Sequence, residues 1–309
     1  MKISLSTGML TKRLGVENLA KMAKNAGFEA VDWSLEALFP GAELYAGGYP
    51  QTIFDKPLDE IIEFLRPSVD AFVNAGLSIG QAHAPAPSII SFRPEIKEYT
   101  TNILIKVIGV CAYYKIPYLV VHGCCLLEKE KTLNYDDIEK LNRDYYKQFI
   151  PYLKESGVTM CIENMVTYKN DVPKEGHLAN PLDAKQFVDD MNAFAGQEVF
   201  GFCMDVGHLN LTGCPCRKFM KIMGDRIKCL HLHDNNGRHD KHMIPYTGTV
   251  DWANFILGCK ESGYTGNVSF ENGAHYKNEY MPQELIEDFV RLNGAIGRYL
   301  KKAIQNNND

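Results

Sequence analysis

Short apolar runs alternate with amphipathic segments from one end of the chain to the other. Most of these runs are apolar at successive positions, which is typical of parallel strands buried between a core and a layer of helices. We predict one strand in each run. The eight runs occupy residues 2–7, 30–35, 78–83, 118–123, 158–164, 199–208, 227–234 and 267–272.

The segments between the runs show helical spacing of apolar residues, and several of them end in glycine. Gly27, Gly76, Gly157 and Gly263 each stand shortly before a predicted strand, where glycine commonly ends a helix in the left-handed conformation. Eight repeats of a strand–helix unit favour a closed α/β barrel over an open, doubly wound sheet. Because no linker or shift in composition interrupts the 309 residues, we predict a single (β/α)8 TIM barrel domain over residues 1–309.

The segment 38–57 is longer than a usual connection in such a barrel, and it is rich in glycine and aromatic residues. Long connections are often functional. Two interpretations stay open for this segment, a lid over an active site and an ordinary surface excursion.

Charge and composition narrow the classes of function. The 33 Lys and Arg residues stand against 38 Asp and Glu, a formal net charge of -5, so we expect no nucleic-acid partner, which would require a basic surface. No run approaches the roughly 20 apolar residues of a membrane-spanning helix, and we expect no membrane contact. The N-terminus has no signal-like apolar region, and the nine cysteines lie mostly in apolar runs. Both observations predict a cytoplasmic protein with reduced thiols.

Two cysteine pairs, Cys124 with Cys125 and Cys214 with Cys216, could serve as metal or redox pairs. Neither pair has the CxxC spacing that such sites commonly use. The spacing therefore favours ordinary core or loop cysteines.

Ionisable side chains fall at the carboxyl ends of the predicted strands. In a barrel these ends face one mouth, so residues far apart in sequence converge there. Imidazole and carboxylate groups together are ligands for zinc, manganese, iron or cobalt. A buried carboxylate is costly unless it is paired or bound to a cation, although a lone histidine is more often a hydrogen-bonded structural residue. The converging set comprises His83, His122, Glu163, Asp205, His208, His231, His233, Asp240, His242 and Glu271.

Five motifs identify a family resemblance over essentially the whole chain: IEN, MDVGH, HLHDN, GRHDKH followed by GTVDW, and SFEN. With them the chain resembles the xylose-isomerase-like TIM barrel superfamily, which includes ketose 3-epimerases and metal-dependent AP endonucleases. By resemblance to the epimerases, one divalent metal (Mn, Co, Mg or Zn) is held by Glu163, Asp205, His231 and Glu271. The same resemblance implies that His208 and Arg238 contact the substrate.

The AP endonucleases use a larger, trinuclear zinc set. Their pattern adds residues that match His83, His122, His208, Asp240 and His242, and this sequence has all of those types. The resemblance therefore keeps open a site with more than one metal, with these residues as ligands or as substrate contacts.

Our leading hypothesis is an isomerase or epimerase of a ketose, inosose or sugar phosphate. Glu163 and Glu271 would act as acid and base on a C–H proton next to a carbonyl, through an enediolate that the metal stabilises. His233, Asn164 and Trp33 are further candidates for contact with a small carbohydrate substrate, although orientation of a carboxylate, loop capping and core packing explain them as well.

Other functions stay open beside this hypothesis. One is a phosphodiester hydrolase of the AP endonuclease type, which the ligand types favour and the acidic charge disfavours. Another is a lyase or dehydratase on a keto-sugar or inosose, with the same base and metal. A sugar-binding barrel without activity is the third, and the complete acidic set argues against it. Relatives of this kind form dimers and tetramers, which leaves a homo-oligomer open.

Overall fold

The computed structural model describes residues 1–45, 48–85, 89–90, 93–123, 125–126 and 134–306. Within these ranges eight parallel strands form a barrel, and each strand lies in a predicted run, which confirms the TIM barrel. The strands are β1 (Ile3–Ser6), β2 (Ala30–Ser34), β3 (Ser78–His83), β4 (Tyr118–His122), β5 (Thr159–Glu163), β6 (Phe200–Asp205), β7 (Ile227–His231) and β8 (Val268–Phe270).

Each strand from β1 to β6 pairs in parallel with the next, and β8 pairs in parallel with β1. The barrel closes between β7 and β8 just beyond the end of β7. There the Leu232 backbone N–H donates to the Ser269 carbonyl at 2.8 Å, and the Glu271 N–H donates to the Leu232 carbonyl at 3.0 Å. The carboxyl ends of all eight strands therefore surround one mouth.

Helices cover the outside of the barrel and several of its loops. Those in the described ranges are α1 (Gly8–Leu14), α2 (Val16–Ala26), α3 (Gly41–Tyr45), α4 (Leu58–Asn74), α5 (Pro94–Tyr113), α6 (Tyr135–Lys147), α7 (Ile150–Ser156), α8 (Pro181–Ala195), α9 (Val206–Thr212), α10 (Cys216–Met223), α11 (Trp252–Ser262) and α12 (Gln283–Gln305). Glycines end α2, α7 and α11 with positive φ angles of 92°, 70° and 67°, at Gly27, Gly157 and Gly263. None of these helices is long and apolar enough to cross a lipid bilayer.

Smaller elements lie in the loops. An antiparallel hairpin of Val166–Lys169 and Val172–Glu175 follows β5, and the two-residue strands Ile89–Ile90 and Cys125–Leu126 pair in parallel. Short 3-10 helices occur at Glu36–Leu38, Ile53–Asp55, Gly224–Arg226 and Ala274–Lys277. The long segment 38–57 contains α3 and the 3-10 helix Ile53–Asp55, and its residues 46–47 lie outside the described ranges.

The interior of the barrel below the mouth is divided into two chemically different halves. One half holds the thiols of Cys161, Cys203 and Cys229 beside Val120, a small cluster apart from the main core. The other half is polar and includes the buried residues Ser4, Asp32, Gln81 and Ser269. Barrel interiors of this fold are dominated by bulky branched residues, so this polar half calls for a separate explanation.

The cysteine pairs singled out in the sequence form no bridge where the structure describes them. Cys214 and Cys216 are free thiols, one half-buried and one buried. Cys124 lies outside the described residues. The spacing argument for ordinary core and loop cysteines fits Cys214 and Cys216.

Candidate metal centre

A cavity of about 720 Å³ opens at the mouth of the barrel. Its wall includes parts of α1, the start of segment 38–57, and the loops that follow β5, β7 and β8. Ionisable side chains concentrate in its floor and on one side. The histidine and carboxylate side chains among its lining residues are Glu36, His122, Glu163, His208, Asp240, His242 and Glu271.

Four side chains from four strand ends meet in the floor, and we refer to Glu163, Asp205, His231 and Glu271 as the four-strand cluster. One potential ligand atom from each lies within 4.8 Å of the others. Strand register produces the meeting, because Asp205 and His231 are direct partners between β6 and β7. His231 Nδ1 lies 3.3 Å from Glu163 Oε1 and 3.2 Å from Glu271 Oε2.

Two buried atoms of this cluster that could bind a cation lack hydrogen-bond partners in the described part of the chain. These atoms are Glu163 Oε2 and His231 Nδ1. Glu163, Asp205 and His231 are at most 1% exposed. Such groups are costly to bury unless something compensates them. Three carboxylates and one imidazole suit divalent manganese, cobalt or zinc, so the residues of this cluster fit a divalent cation.

The two glutamates of the cluster experience different electrostatic surroundings. Burial raises the pKa of Glu271, and the nearby His231 and His242 oppose this only in part. Burial also acts to raise the pKa of Glu163, but His231 and His83 hold it well below its usual range. Carboxyl groups whose pKa values are pushed apart in this way are typical of an acid and base pair.

A second set, His208, His233, Asp240 and His242, is here called the loop cluster. Its potential ligand atoms also lie within 4.8 Å of one another. Asp240 Oδ2 lies 3.3 Å from His208 Nε2 and 3.2 Å from His242 Nε2. Burial acts to lower the pKa of His242, but its hydrogen bond with Asp240 raises that pKa to about 9. These residues also fit a cation, since Asp240 Oδ1 is buried without a partner.

A third group extends the four-strand cluster toward β3 and β4. His83 Nε2 and His122 Nε2 are 3.1 Å apart, and they lie 3.7 Å and 3.5 Å from Glu163 Oε2. Burial acts to lower the pKa of both histidines. The Glu163 carboxylate nevertheless raises the pKa of His83 to about 9, while that of His122 falls to about 4. A hydrogen bond between the two Nε2 atoms requires that one of them carry hydrogen and that the other accept it.

The residues behind the clusters hold them in place. Asn164 is fully buried, and its side-chain amide donates to the Asp205 carbonyl at 3.0 Å and accepts from the Asp205 N–H at 2.8 Å. His233 Nε2 lies 3.0 Å from Asp205 Oδ2. His208 Nδ1 lies 2.8 Å from the Asn164 carbonyl. Asn164 thus faces the protein and not the cavity, so its predicted substrate contact finds no support in these positions.

Two other predicted substrate contacts also lie away from the cavity wall. Trp33 is buried and packs edge-on against Tyr114 at a ring distance of 6.2 Å. Arg238 is exposed in the loop after β7, and its backbone N–H donates to Asn236. Neither side chain is among the described residues that line the cavity.

One residue of the site was missed by the sequence analysis. Asp32 in β2 is 1% exposed, and its Oδ2 lies 3.0 Å from His231 Nε2 and 2.9 Å from Gln81 Nε2. The available signal was a carboxylate inside the buried run AVDWSL, where an unpaired charge would be costly.

Fold and site together define a TIM barrel with a histidine and carboxylate centre at its mouth. The sequence pattern of the xylose isomerase-like TIM barrel family matches residues 20–291. The chain belongs to this family, and the resemblance predicted from its motifs is confirmed.

Named relatives and solved structures agree with this assignment. Fructoselysine 3-epimerase from Escherichia coli O157:H7 is 20% identical over 293 residues, 89% of this chain and 93% of that protein. An uncharacterised protein of Methanocaldococcus jannaschii is 24% identical over 215 residues, 68% of this chain and 69% of that protein.

Two solved structures share the fold over nearly the full length of both chains. A putative xylose isomerase from Rhodospirillum rubrum superposes with a TM-score of 0.76 at 17% identity, covering 97% of this chain and 99% of that one. A D-tagatose 3-epimerase-like protein superposes with a TM-score of 0.70 at 18% identity, covering 98% of each chain. At these identities the likeness establishes the fold alone.

Proposed function

We propose that the chain is a metal-dependent isomerase or epimerase of a carbohydrate that carries a carbonyl group. The observation that carries this proposal is the position of Glu163 and Glu271. These carboxylates come from β5 and β8, flank the same nitrogen of His231, and differ in the direction of their pKa shifts. Relatives named as sugar epimerases support the substrate class.

Glu163, Asp205, His231 and Glu271 would hold the cation. When bound, a divalent cation supplies positive charge that stabilises negative charge developing on a substrate oxygen. Glu163, whose low pKa keeps it ionised, removes the proton from the carbon next to the carbonyl. Glu271, which comes from β8, would return a proton to the carbon from its own side. Asp205 and His231 would hold the cation without taking part in proton transfer.

His208 and His122 line the cavity beside Glu163 and can orient substrate hydroxyl groups. The loop cluster and the His83–His122 pair also offer further cation sites, which favours a second candidate function, hydrolysis of a phosphodiester. That chemistry commonly uses more than one cation. The net charge of -5 is unfavourable for a polyanionic nucleic acid, so we place this candidate second.

The number of cations per chain discriminates between the two candidates. Protein purified without chelator is analysed by elemental mass spectrometry. About one ion per chain supports the isomerase or epimerase, and about two or three support the hydrolase. No bound metal, with none taken up on titration, would overturn both.

A direct test of the chemistry follows from the metal count. The loaded protein is incubated with ketoses, inososes and their phosphates in deuterated water, and exchange of the C–H proton next to the carbonyl is followed by NMR. Exchange that Glu163→Gln abolishes is the expected result. Elimination products in place of exchange would indicate a lyase or dehydratase with the same base.

A further inference from the structure

The contacts of Asp32 differ from those expected of a buried carboxylate that only stabilises local structure. Its carboxylate sits in the polar half of the barrel interior, where Oδ2 is reached by His231 Nε2 at 3.0 Å, Gln81 Nε2 at 2.9 Å and Ser269 Oγ at 3.4 Å. Its other oxygen, Oδ1, has no hydrogen-bond partner among the described residues. A buried carboxylate left partly unsatisfied costs stability, which suggests that its position serves the site above it.

Asp234 provides the contrast, because it is equally buried but fully explained by local structure. Its two oxygens accept from the backbone N–H groups of Tyr246 and Val250 and from Trp252 Nε1, each at 3.0 Å. These contacts fix the loop between β7 and α11. No comparable set of backbone donors surrounds Asp32 within the described part of the chain, and His231 is its one ionisable hydrogen-bond partner there.

The contact with Asp32 determines which nitrogen of His231 carries hydrogen. An ionised carboxylate can only accept hydrogen bonds, so Nε2 must hold the proton and donate to Asp32. In the neutral ring, Nδ1 then presents its lone pair. That lone pair is directed to the space between Glu163 Oε1 and Glu271 Oε2, where the four-strand cluster converges.

We propose that Asp32 is a positioning residue that fixes the ring orientation and tautomer of His231 and thereby sets the affinity of the four-strand cluster for a divalent cation. Histidines that bind metals commonly donate their other N–H to a carboxylate, which increases their strength as ligands. Gln81 from β3 and Ser269 from β8 hold the carboxylate in turn. This inference rests on the metal site of the proposed function.

The experiment compares cation affinity in the full-length protein and three variants: Asp32→Ala, Asp32→Asn and Ser4→Ala. Manganese or zinc binding is measured by competition with a chromophoric chelator. Asp32→Ala is expected to weaken binding by about 10- to 100-fold. Asp32→Asn is expected to weaken it less, since its side-chain carbonyl still accepts from Nε2. Ser4→Ala is the matched control, because Ser4 is buried in the same half and its hydroxyl has no partner.

A second measurement reports on the tautomer without any metal. In the metal-free protein labelled with 15N-histidine, a slowly exchanging Nε2–H signal is expected, and His231→Gln identifies it by its loss. Asp32→Asn should keep this signal, and Asp32→Ala should lose it. This spectrum can be recorded on the unmodified protein even if Asp32→Ala fails to fold.

The outcomes separate the two proposals. If the unmodified protein binds metal but Asp32→Ala binds it as tightly as Ser4→Ala does, this inference is overturned and the proposed function stands. A His231 ring that carries hydrogen on Nδ1 but not on Nε2 in the unmodified protein overturns it as well. If the unmodified protein binds no metal, both proposals are overturned.

Discussion

The four-strand cluster and the loop cluster use similar side chains but are positioned by different parts of the fold. Glu163, Asp205 and His231 are the last residues of β5, β6 and β7, so strand register determines where they lie. Asp240 and His242 of the loop cluster stand in the irregular connection after β7, and His242 adopts a positive φ of 44°. Strand register therefore positions one candidate cation site, and a loop positions part of the other.

The two clusters also differ in how their charges are balanced. In the loop cluster Asp240 pairs with His208 and His242, and these partners lower its pKa against the effect of burial. The four-strand cluster places three carboxylates around one imidazole, whereas the loop cluster has three imidazoles around one carboxylate. We infer that the four-strand cluster depends more strongly on a cation, because its own side chains compensate one another less.

Glu163→Gln is expected to have the largest effect, because Glu163 belongs to both the four-strand cluster and the His83–His122 group. Removal of a general base typically costs about 10²- to 10⁴-fold in turnover, and metal content should fall as well. The measurement is proton exchange together with metal analysis. Glu36→Gln is the control, since Glu36 lines the cavity outside these groups. Activity that survives Glu163→Gln would contradict the mechanism.

His242→Gln should have a smaller effect that is confined to the loop cluster. If the loop cluster holds a second cation, as the hydrolase candidate requires, the variant loses that cation while the four-strand cluster keeps its own. His239→Gln is a closely matched control, because His239 lies in the same loop but is exposed and outside the cluster. Metal analysis of the two variants is the test. Equal loss of metal from both, or from neither, would remove the loop cluster as a separate site.

Tyr168→Phe should have the smallest effect. The Tyr168 hydroxyl on the hairpin after β5 accepts the Asp240 N–H at 2.9 Å. A hydrogen bond of this kind contributes about 0.5–1.5 kcal/mol, or roughly two- to tenfold in affinity. We expect weaker binding at the loop cluster and unchanged binding at the four-strand cluster, measured by chelator titration, with Tyr152→Phe on the exposed face of α7 as the control. A change at the four-strand cluster would show that the two are coupled.

The sequence predicted the strands well because buried parallel strands form continuous apolar runs. The same property concealed Asp32. When both faces of a strand are apolar, alternation does not reveal which residues point inward. The sequence analysis therefore named Trp33 as a candidate contact and did not single out its neighbour Asp32. In the structure Trp33 packs against Tyr114, whereas Asp32 contacts His231.

Positions in loops were harder to predict than strand ends. A residue at a strand end is placed by register, so Glu163, Asp205 and His231 could be expected to converge. Arg238 was assigned to substrate by resemblance alone, and no register fixes its direction in the loop after β7. There it is exposed. Its role, like those of the proposed ligands, stays a prediction.

The closure of the barrel by β8 has a consequence for how the protein is made. Chains are synthesised from the N-terminus, and partly made domains can collapse before they are complete. Glu271 follows β8, and β8 pairs with β1 near the opposite end of the sequence. A nascent chain that has reached only β7 already contains Glu163, Asp205 and His231 but has neither the fourth carboxylate nor a closed barrel. Metal binding by the complete four-strand cluster would therefore have to follow the synthesis of β8 and Glu271.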